Sequence, residues 1–270
     1  AIVVYGDTNS TLASAICPSK IHVPIVHIEA GLRSFNKKMP EEINRIMCDH
    51  SSTLLFSPTE TGYQNLIKEG FSTRVSHKAS ADEPNIYHCG DVMYDNTIYF
   101  SELSDQKSTI LQNLNLEDQP YILATVHRND NTDDATKINA IFSSFLNLTE
   151  KHKISLVLPL HPRTLKMKEA LLDKVIQEKL DQSPYIKIIP PASFLDMIAL
   201  EKKSTLIVTD SGGVQKEAYF FQKPCVILRP QTEWVEIIRA KCAKIVDTDQ
   251  DKILYACLLY TSPSPRDLST

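Results

Sequence analysis

The sequence predicts an α/β protein with two parallel β-sheets. Short apolar runs rich in Val, Ile and Leu alternate along the chain with segments of helical periodicity, and strands separated by helices form βαβ units. The alternation weakens once, in the polar stretch Ser101–Gln119, which divides it into two series. The chain has 270 residues, of which 42% are hydrophobic, and this is enough for two Rossmann-sized cores. We therefore expect two Rossmann-like domains joined by a linker.

The first series contains four predicted strands, Ile2–Tyr5, Ile25–Ile28, Thr53–Phe56 and Ile86–His88. Predicted helices fill the gaps between them at Thr11–Cys17, Glu41–Ser51 and Glu60–Glu69. The second of these helices has a marked start, because Pro40 stands at its beginning and two acids fill its first turn. Residues 1–105 are accordingly assigned to the first domain, as the C-terminal part of a Rossmann-like fold.

The second series contains six predicted strands, Tyr121–Thr125, Ser155–Leu158, Ile186–Ile189, Thr205–Thr209, Cys225–Leu228 and Ala243–Val246. Its predicted helices are Asp133–Leu148, Thr164–Leu180, Phe194–Glu201, Val214–Phe221 and Glu233–Arg239. Residues 106–119 are assigned to the linker and residues 120–257 to an incomplete second domain. Ligands of such parallel sheets bind at the carboxyl ends of the strands, so the functional residues are expected there.

The two ends of the sequence differ from the rest. The chain opens inside an apolar strand and without an initiator methionine, so we expect the natural sequence to begin earlier. From Leu258 a stretch rich in Ser and Pro replaces the regular pattern. We interpret 258–270 as a non-native or disordered tail and leave it out of the fold prediction.

Composition excludes several classes of function. The formal net charge is −4, and no run of Lys and Arg interleaved with aromatic residues indicates a nucleic-acid partner. The six cysteines are scattered without a Cys-x-x-Cys spacing, so neither a zinc site nor a disulfide framework is indicated, and a cytoplasmic location fits best. The longest apolar run, Ile253–Tyr260, is far shorter than a membrane span, and no membrane association is expected.

A turn with two glycines follows the strand Thr205–Thr209. Ser211-Gly212-Gly213 opens the next helix, where free backbone N–H groups and the positive end of the helix dipole favour an anion such as phosphate. Glycine also allows the backbone to approach the anion closely. An ordinary turn with Ser211 as the helix N-cap explains the motif equally well, and both interpretations stay open at this point.

Ionisable residues follow four other predicted strands. They are Asp7, Glu29 with Arg33, His127 with Arg128, and His161 with Arg163. Each has a structural alternative: Asp7 as a helix cap, Glu29 as the ion-pair partner of Arg33, and His127 as a hydrogen-bonded residue at the core edge. Acids in the first domain and histidines in the second together favour an active site.

Glu41 is a further candidate, because a short loop, Ser34–Met39, leads to it directly from the Glu29 strand end. Its local alternative is strong: the helix dipole explains an acid in the first turn, and Arg45, one turn on, has the spacing of a surface ion pair.

Cofactor motifs are missing from this sequence. With seven glycines, at positions 6, 31, 62, 70, 90, 212 and 213, neither a dinucleotide fingerprint nor a phosphate loop can be drawn. No His-Glu-x-x-His or EF-hand spacing indicates a metal. The prediction is an enzyme without metal or cofactor.

Several motifs, in order and with coherent spacing, together resemble one family. They are Gly6-Asp7-Thr8-Asn9-Ser10-Thr11, His27-Ile28-Glu29-Ala30-Gly31-Leu32-Arg33, Met39-Pro40-Glu41-Glu42-Ile43-Asn44-Arg45, Ser57-Pro58-Thr59, Gly90-Asp91-Val92-Met93-Tyr94-Asp95, His127-Arg128 and Thr209-Asp210-Ser211-Gly212-Gly213-Val214-Gln215-Lys216-Glu217. From about Ile2 to about Gln250 the chain resembles the non-hydrolysing UDP-N-acetylglucosamine 2-epimerases.

The resemblance implies a GT-B-like fold that binds a UDP-sugar in the cleft between its domains, with no metal or nicotinamide. It implies reversible inversion at C2, from UDP-N-acetylglucosamine to UDP-N-acetylmannosamine, through elimination and re-addition of UDP. The C2 proton is weakly acidic, so a positioned base must remove it while the leaving diphosphate gains charge.

The resemblance also assigns residues. Asp7, Glu29, Glu41 and His127 occupy the catalytic positions, with the carboxylates transferring protons and His127 at the diphosphate. Ser211, Gly212 and Gly213 hold the diphosphate, Glu217 reaches the ribose hydroxyls, and Arg229 is a charge partner for the diphosphate or the sugar. Arg45 and His161 are also placed among the residues that bind the UDP-sugar, and the loop Pro190-Pro191-Ala192-Ser193 lies by the uracil.

Members of this family are homodimers that supply precursors of surface polysaccharides, and the same is expected of the full-length protein. Because the family's opening strand would precede Ala1 and its closing helices would follow Gln250, the polypeptide as given is expected to be inactive while its full-length parent is an epimerase. Two alternatives remain open, namely a UDP-sugar glycosyltransferase of the same fold and a non-catalytic nucleotide-sugar-binding protein.

Overall fold

The structure, a computed structural model, describes residues 1–261. Its contacts divide the chain into two compact units: unit 1 is Ala1–Asp95, and unit 2 begins at Asn96. Each unit has its own parallel sheet. The expected fold class, α/β with two Rossmann-like sheets, is confirmed.

Unit 1 has a four-stranded sheet. Its strands are β1 (Ile2–Tyr5), β2 (Ile25–Ile28), β3 (Leu54–Ser57) and β4 (Asn85–His88), paired in parallel in that order. Helices α1 (Asn9–Ser19), α2 (Pro40–Asp49) and α3 (Glu60–Lys68) connect them. Because consecutive strands are neighbours, the segments that follow them lie side by side at one edge of the sheet.

Unit 2 has a six-stranded sheet. Its strands are β5 (Tyr121–Thr125), β6 (Ser155–Pro159), β7 (Ile186–Ile189), β8 (Leu206–Thr209), β9 (Cys225–Ile227) and β10 (Ala243–Ile245). Its helices are α4 (Val92–Lys107), which begins in unit 1, α5 (Ile110–Asn113), α6 (Asn129–Thr132), α7 (Ala135–His152), α8 (Pro162–Leu171), α9 (Lys174–Gln182), α10 (Phe194–Lys203), α11 (Gly212–Phe220), α12 (Val235–Arg239) and α13 (Gln250–Thr261).

The strand order of the larger sheet is β10-β9-β8-β5-β6-β7, so the chain direction across the sheet reverses at β5. In open α/β sheets ligands bind at such a reversal, beside the carboxyl ends of the two central strands. Here these strands are β5 and β8, which are followed by His127-Arg128 and Ser211-Gly212-Gly213.

The core of unit 2 forms around the central strand. All five residues of β5 are buried, and the side chains of Phe142 and Phe145 on α7 are fully buried with them. Tyr121 is the largest fully buried side chain, and its hydroxyl donates to the carbonyl of Leu200 over 2.7 Å, which satisfies its polar end.

The predicted elements are confirmed, with boundaries that shift by a few residues. All ten predicted strands are present within one residue at either end, and all eight predicted helices are present. The predicted helix Thr164–Leu180 is two helices, because Leu172 is extended and Asp173 caps a new helix by accepting from the Val175 amide over 2.8 Å. Helices α4, α5, α6 and α13 were not predicted.

Two segments differ from their expected descriptions. The stretch assigned to the linker, 106–119, lies after the division at Asp95 and contains α5 and the end of α4. Residues 258–261, assigned to the tail, continue α13, and Leu258 and Tyr260 pack against the core of unit 2. The remainder of that tail, 262–270, lies outside the described residues. In the part that the structure describes, none of the helices has the length and apolar character needed to cross a membrane.

Candidate active site

Asp7 lies at the carboxyl end of β1 and is held by Arg45 of α2. The guanidinium Nη1 of Arg45 donates to Asp7 Oδ2 over 2.6 Å, and the side chain of Arg45 is only 2% exposed. The side-chain amide of Asn44 donates to the main-chain carbonyl of Asp7 over 2.8 Å. The alternative role of Asp7 as a helix cap is wrong, because Thr8 is the N-cap of α1.

Glu42, the residue after Glu41 on α2, links this helix to the loop before it. Its buried carboxylate accepts from the amides of Ser34 and Phe35 at 2.9 and 2.8 Å and pairs with Arg45 at 2.8 Å. Burial by itself would raise the pKa of Glu42, but these hydrogen bonds and the Arg45 charge lower it below its usual value. The carboxylate therefore fixes both the loop after Ser34 and the arginine that holds Asp7.

Glu41 is half-buried in the first turn of α2, one turn before Arg45. The expectation of a surface pair at this spacing does not describe Arg45, which is buried against Asp7 and Glu42.

Glu29 follows β2 in a conformation that side chains rarely adopt. Its φ is +77°, and its amide donates to the carbonyl of Phe56 over 3.0 Å. Such a left-handed residue other than glycine costs free energy and is concentrated at functional sites. The carboxylate is directed toward the β1 turn, since a Cβ on Gly6 would stand 3.3 Å from Glu29 Oε2. Asp7 and Glu29 therefore occupy adjacent strand ends.

A small cavity of about 140 Å³ lies beside Glu29. Its lining includes Tyr5, Cys89 and Asp91, so the ends of β1, β2 and β4 meet there. Burial, together with the charges of Glu29 and Asp91, raises the pKa of Tyr5. The hydroxyl of Tyr5 therefore stays protonated at neutral pH.

A network of charged side chains, most of them buried, contacts the same turn. His27 contacts the Gly6 carbonyl through Nε2 at 3.0 Å and Asp49 through Nδ1 at 2.6 Å. Asp49 also pairs with Arg33 at 2.7 Å, and Arg33 continues to Glu69 at 2.7 Å. The alternative of a Glu29–Arg33 pair is therefore wrong, because the guanidinium of Arg33 is bound to these two acids.

Asp210 joins the two central strand ends of unit 2. It is fully buried and accepts from the amide of His127 at 3.1 Å, the amide of Arg128 at 3.0 Å and the side-chain amide of Asn131 at 3.1 Å. Nδ1 of His127 is 3.5 Å from the same carboxylate, and the His127 side chain is 45% exposed. The buried aspartate therefore presents an accessible histidine at the end of β5.

The two glycines of the turn after β8 have different surroundings. Ser211 is the N-cap of α11 and accepts from the amide of Val214 over 3.4 Å. A Cβ on Gly212 would stand 2.5 Å from Glu233 Oε1, whereas a Cβ on Gly213 would meet only Ser211 Oγ, at 3.9 Å. Gly212 thus packs against protein, and Gly213 leaves open space where an anion can approach.

Arg229 is buried beside this turn and pairs with Glu233 at 3.0 Å. Glu233 of this pair packs against Gly212. The ammonium group of Lys216 lies 4.3 Å from the ring centre of Trp234, which continues the same packed cluster.

Glu217 lies on α11, one turn beyond Gly213, and is half-buried. Burial raises its pKa, an effect that the neighbouring Glu201 and Lys216 counteract.

A cavity of about 440 Å³ opens in unit 2. His127, His161, Pro191 and Ala192 contribute to its lining, so it brings together the β5 end, the β6 end and the loop expected by the uracil. His161 is exposed and caps α8. The cavity thus brings together two of the expected site residues of unit 2, His127 and His161.

Within residues 1–261 no three His, Cys, Asp or Glu side chains are grouped so that they could hold a metal ion.

The sequence interpretation missed the buried residues that position the candidates. Glu42, Asn44 and Asp210 stand inside the motifs but were given no role, although their neighbours were. Glu201 and Glu233 had no motif to indicate them. All of these residues are buried, and burial of a polar side chain cannot be detected from local spacing.

The chain is similar in sequence and in fold to known proteins. The sequence profile of the UDP-N-acetylglucosamine 2-epimerase family matches residues 1–266. The chain belongs to this family.

Two relatives of the family are each 45% identical to the chain and cover 94% of it. One is a UDP-N-acetylglucosamine 2-epimerase homolog of Methanococcus maripaludis, aligned over 254 residues, and the other is the UDP-2,3-diacetamido-2,3-dideoxy-D-glucuronate 2-epimerase of Pseudomonas aeruginosa, aligned over 253. The chain covers 66% and 65% of these relatives, slightly less than two thirds of their length.

Among solved structures, the UDP-N-acetylglucosamine 2-epimerase of Methanocaldococcus jannaschii, in complex with UDP-GlcNAc and UDP, has a TM-score of 0.85. It is 34% identical, and the match covers 97% of this chain and 69% of that one. The two α/β units of the epimerase family are therefore the fold of this chain.

Proposed function

We propose that the protein inverts the configuration at C2 of a UDP-2-acetamido sugar by eliminating UDP and adding it back. The observation that carries this proposal is the pair of carboxylates at adjacent strand ends, Asp7 held by buried Arg45 and Glu29 held in a left-handed conformation. A glycosyltransferase of the same fold needs a nucleotide site but does not need this arrangement of acids.

The chemistry follows from these groups. A carboxylate removes the C2 proton, the electrons of the C–H bond form a C1=C2 double bond, and the C1–O bond to UDP breaks, so that UDP leaves with the bonding pair. A proton returned to the opposite face of C2 and re-addition of UDP at C1 give the epimer. Asp7, Glu29 and Glu41 are the proposed proton-transfer groups, and Arg45 fixes the position of the Asp7 carboxylate.

Unit 2 supplies the proposed nucleotide site. Ser211 and Gly213 with the N-terminus of α11 bind the diphosphate, as the open space at Gly213 allows. The exposed side chain of His127, which lies beside buried Asp210, stabilises the charge that develops on the departing diphosphate. Glu217 binds the ribose hydroxyls, His161 and Pro191 border the nucleotide cavity, and Arg229 adds positive charge although its guanidinium also pairs with Glu233.

UDP-N-acetylglucosamine, converted to UDP-N-acetylmannosamine, is the first candidate substrate. A second candidate is a UDP-2,3-diacetamido uronic acid, because the relative with that name is 45% identical whereas the solved UDP-GlcNAc enzyme is 34% identical. Both sugars carry the 2-acetamido group and the C2 proton that the mechanism requires.

The proposal is tested by incubating the protein, together with any sequence that flanks this chain, with each UDP-sugar in heavy water. Deuterium at C2 and a manno-configured product, followed by proton NMR, are expected. Asp7→Asn and Glu29→Gln should each abolish exchange while UDP still binds. Sugar transfer or free sugar without exchange at C2 would instead indicate a transferase or hydrolase, and unchanged substrate would indicate a binding protein.

The proposed setting is a cytoplasmic homodimer that makes a precursor of surface polysaccharide, without nucleic-acid or membrane partners. Support for the location comes from the six cysteines, all of which are free thiols. Support for the dimer and the pathway comes from the family resemblance.

A further inference from the structure

Glu201 is an unusual buried acid in unit 2. It lies on α10 with 0% of its surface exposed, and no N–H or O–H donor in the described part of the chain reaches either carboxyl oxygen. The nearby hydroxyl of Tyr121 donates to the carbonyl of Leu200 instead. An ionised carboxylate without a donor is strongly disfavoured in such surroundings.

The group next to Glu201 is the carboxyl of Glu217, on the adjacent helix α11. Two ionised carboxylates cannot hydrogen-bond to each other, since both are acceptors only, so the contact requires a shared proton. Burial and the proximity of Glu217 raise the pKa of Glu201 well above its usual value. The proton therefore resides on Glu201, because Glu217 is less buried and the charge of Lys216 favours its ionised form.

We infer that Glu201 is a positioning residue, whose carboxylic acid O–H donates to Glu217 and fixes that carboxylate to accept the ribose hydroxyls of UDP. This inference rests on the proposed nucleotide site. A carboxylate offers about four acceptor positions, so one bond from Glu201 leaves the outer positions of Glu217 for a vicinal diol.

Packing alone gives no reason for an acid at position 201. An apolar side chain of similar size would fill the space without an unpaired polar oxygen, and replacing buried polar pairs in this way is often neutral or stabilising. If Glu201 were needed for structure, an apolar substitution would lower the melting temperature. If Glu201 positions Glu217, the same substitution keeps the melting temperature and weakens UDP binding.

The test uses Glu201→Gln, which keeps an N–H donor, and Glu201→Leu, which removes it. Calorimetry measures binding of UDP and of 2′,3′-dideoxy-UDP to the protein, and thermal unfolding measures stability. Glu201→Leu is expected to keep or raise the melting temperature and to weaken UDP binding about fivefold to tenfold, while binding of the dideoxy nucleotide is unchanged. Glu201→Gln should bind UDP within about twofold of the unaltered protein, because its amide still donates to Glu217.

A pH series gives a second readout. UDP affinity of the unaltered protein should fall as the pH rises and the shared proton is lost, whereas that of Glu201→Gln should not follow this trend. The other titratable groups that face the pair are Tyr121 of β5, Cys225 of β9 and Lys216 of α11, and all three are present in both proteins.

The outcomes distinguish the inferred role of Glu201 from the proposed nucleotide site. If Glu217→Ala weakens UDP binding but Glu201→Leu does not, the role of Glu201 is overturned and the nucleotide site stands. If UDP does not bind, or if Glu217→Ala binds it unchanged, the proposed site itself is wrong.

Discussion

At the scale of the residue, neighbouring positions of identical type differ in what surrounds them. Gly212 faces a buried carboxylate of the Arg229–Glu233 pair, while Gly213 faces open space. Glu41 and Glu42 differ in the same way, since Glu42 is almost fully buried among donors and Glu41 is half-exposed. Adjacent residues of one motif can thus differ in their burial and in their contacts.

The glycine pair provides a matched test. Gly212→Ala should lower the free energy of unfolding by about 1–3 kcal/mol, because the new methyl group would displace Glu233 from its buried pair. Gly213→Ala should leave stability unchanged or raise it by up to about 1 kcal/mol, since alanine favours a helix. Urea unfolding and UDP titration measure both effects, and Gly213→Ala should weaken UDP binding at least about tenfold by crowding the phosphate. Undiminished UDP affinity in Gly213→Ala would place the phosphate elsewhere.

At the scale of the element, helix boundaries depend on single capping contacts. The helical periodicity runs from Thr164 to Leu180 without a break, yet helix α8 ends at Leu171 and helix α9 begins at Lys174. Asp173 accepts from the amides of Val175 and Ile176 at 2.8 and 3.4 Å, and these bonds favour a new helix start over continuation. Helix α4 was not predicted because its apolar residues do not line one continuous face.

The cap at Asp173 has a measurable contribution. Asp173→Ala should destabilise the protein by about 1 kcal/mol, because two amides of the first turn of α9 lose their acceptor, and Asp173→Asn should keep most of that stability. Thermal unfolding of the two variants, followed by circular dichroism, makes the comparison. Equal loss in both would show that charge at the helix N-terminus, and not the capping hydrogen bond, is responsible.

At the scale of the whole molecule, the two units carry different proposed tasks. Unit 1 holds the acids at the ends of β1 and β2. Beside them lies the network of ion pairs that runs from buried His27 to the partly exposed Glu69. Unit 2 holds the cavity and the glycine turn at the reversal of its sheet. The ionic support of unit 1 links its stability to pH.

That link has a definite sign. Burial alone would raise the pKa of Asp49, but His27 and Arg33 lower it, so its contribution is present above about pH 4 and is lost as the pH falls through the lowered value. Burial alone would lower the pKa of His27, but Asp49 and the Gly6 carbonyl raise it, so its contribution is full below about pH 6.5 and is lost as the pH rises through the raised value.

Unit 1 should therefore be most stable between about pH 4 and 6.5. Asp49→Asn should cost about 3–5 kcal/mol within that window, because buried His27 and Arg33 lose the carboxylate that they share, and should flatten the pH dependence. Hydrogen exchange of peptides from β2 and α2 across a pH series measures this. A pH profile of Asp49→Asn that parallels the unaltered protein would assign the dependence to other groups.

Much of the fold and part of the site could be predicted from sequence. Every strand was identified, because short β-branched runs between turns are a local signal. Asp7, Glu29, His127 and the glycine turn were predicted as site residues because parallel strands bring their carboxyl ends to one edge of a sheet. The partners Asp49, Asp210, Glu201 and Glu233 were not, because nothing local marks a side chain that will be buried against a distant one.

The sequence by itself determined the α/β class, the strands and the motifs of an epimerase family, since periodicity and residue order are properties of the chain. Only the tertiary structure decided which partners surround each acid. Arg45 holds Asp7, Asp210 holds the His127 turn, and Glu201 meets Glu217, across 38, 83 and 16 positions of sequence. Desolvation and pairing determine the charge of a carboxyl group, and both depend on neighbours that folding brings together.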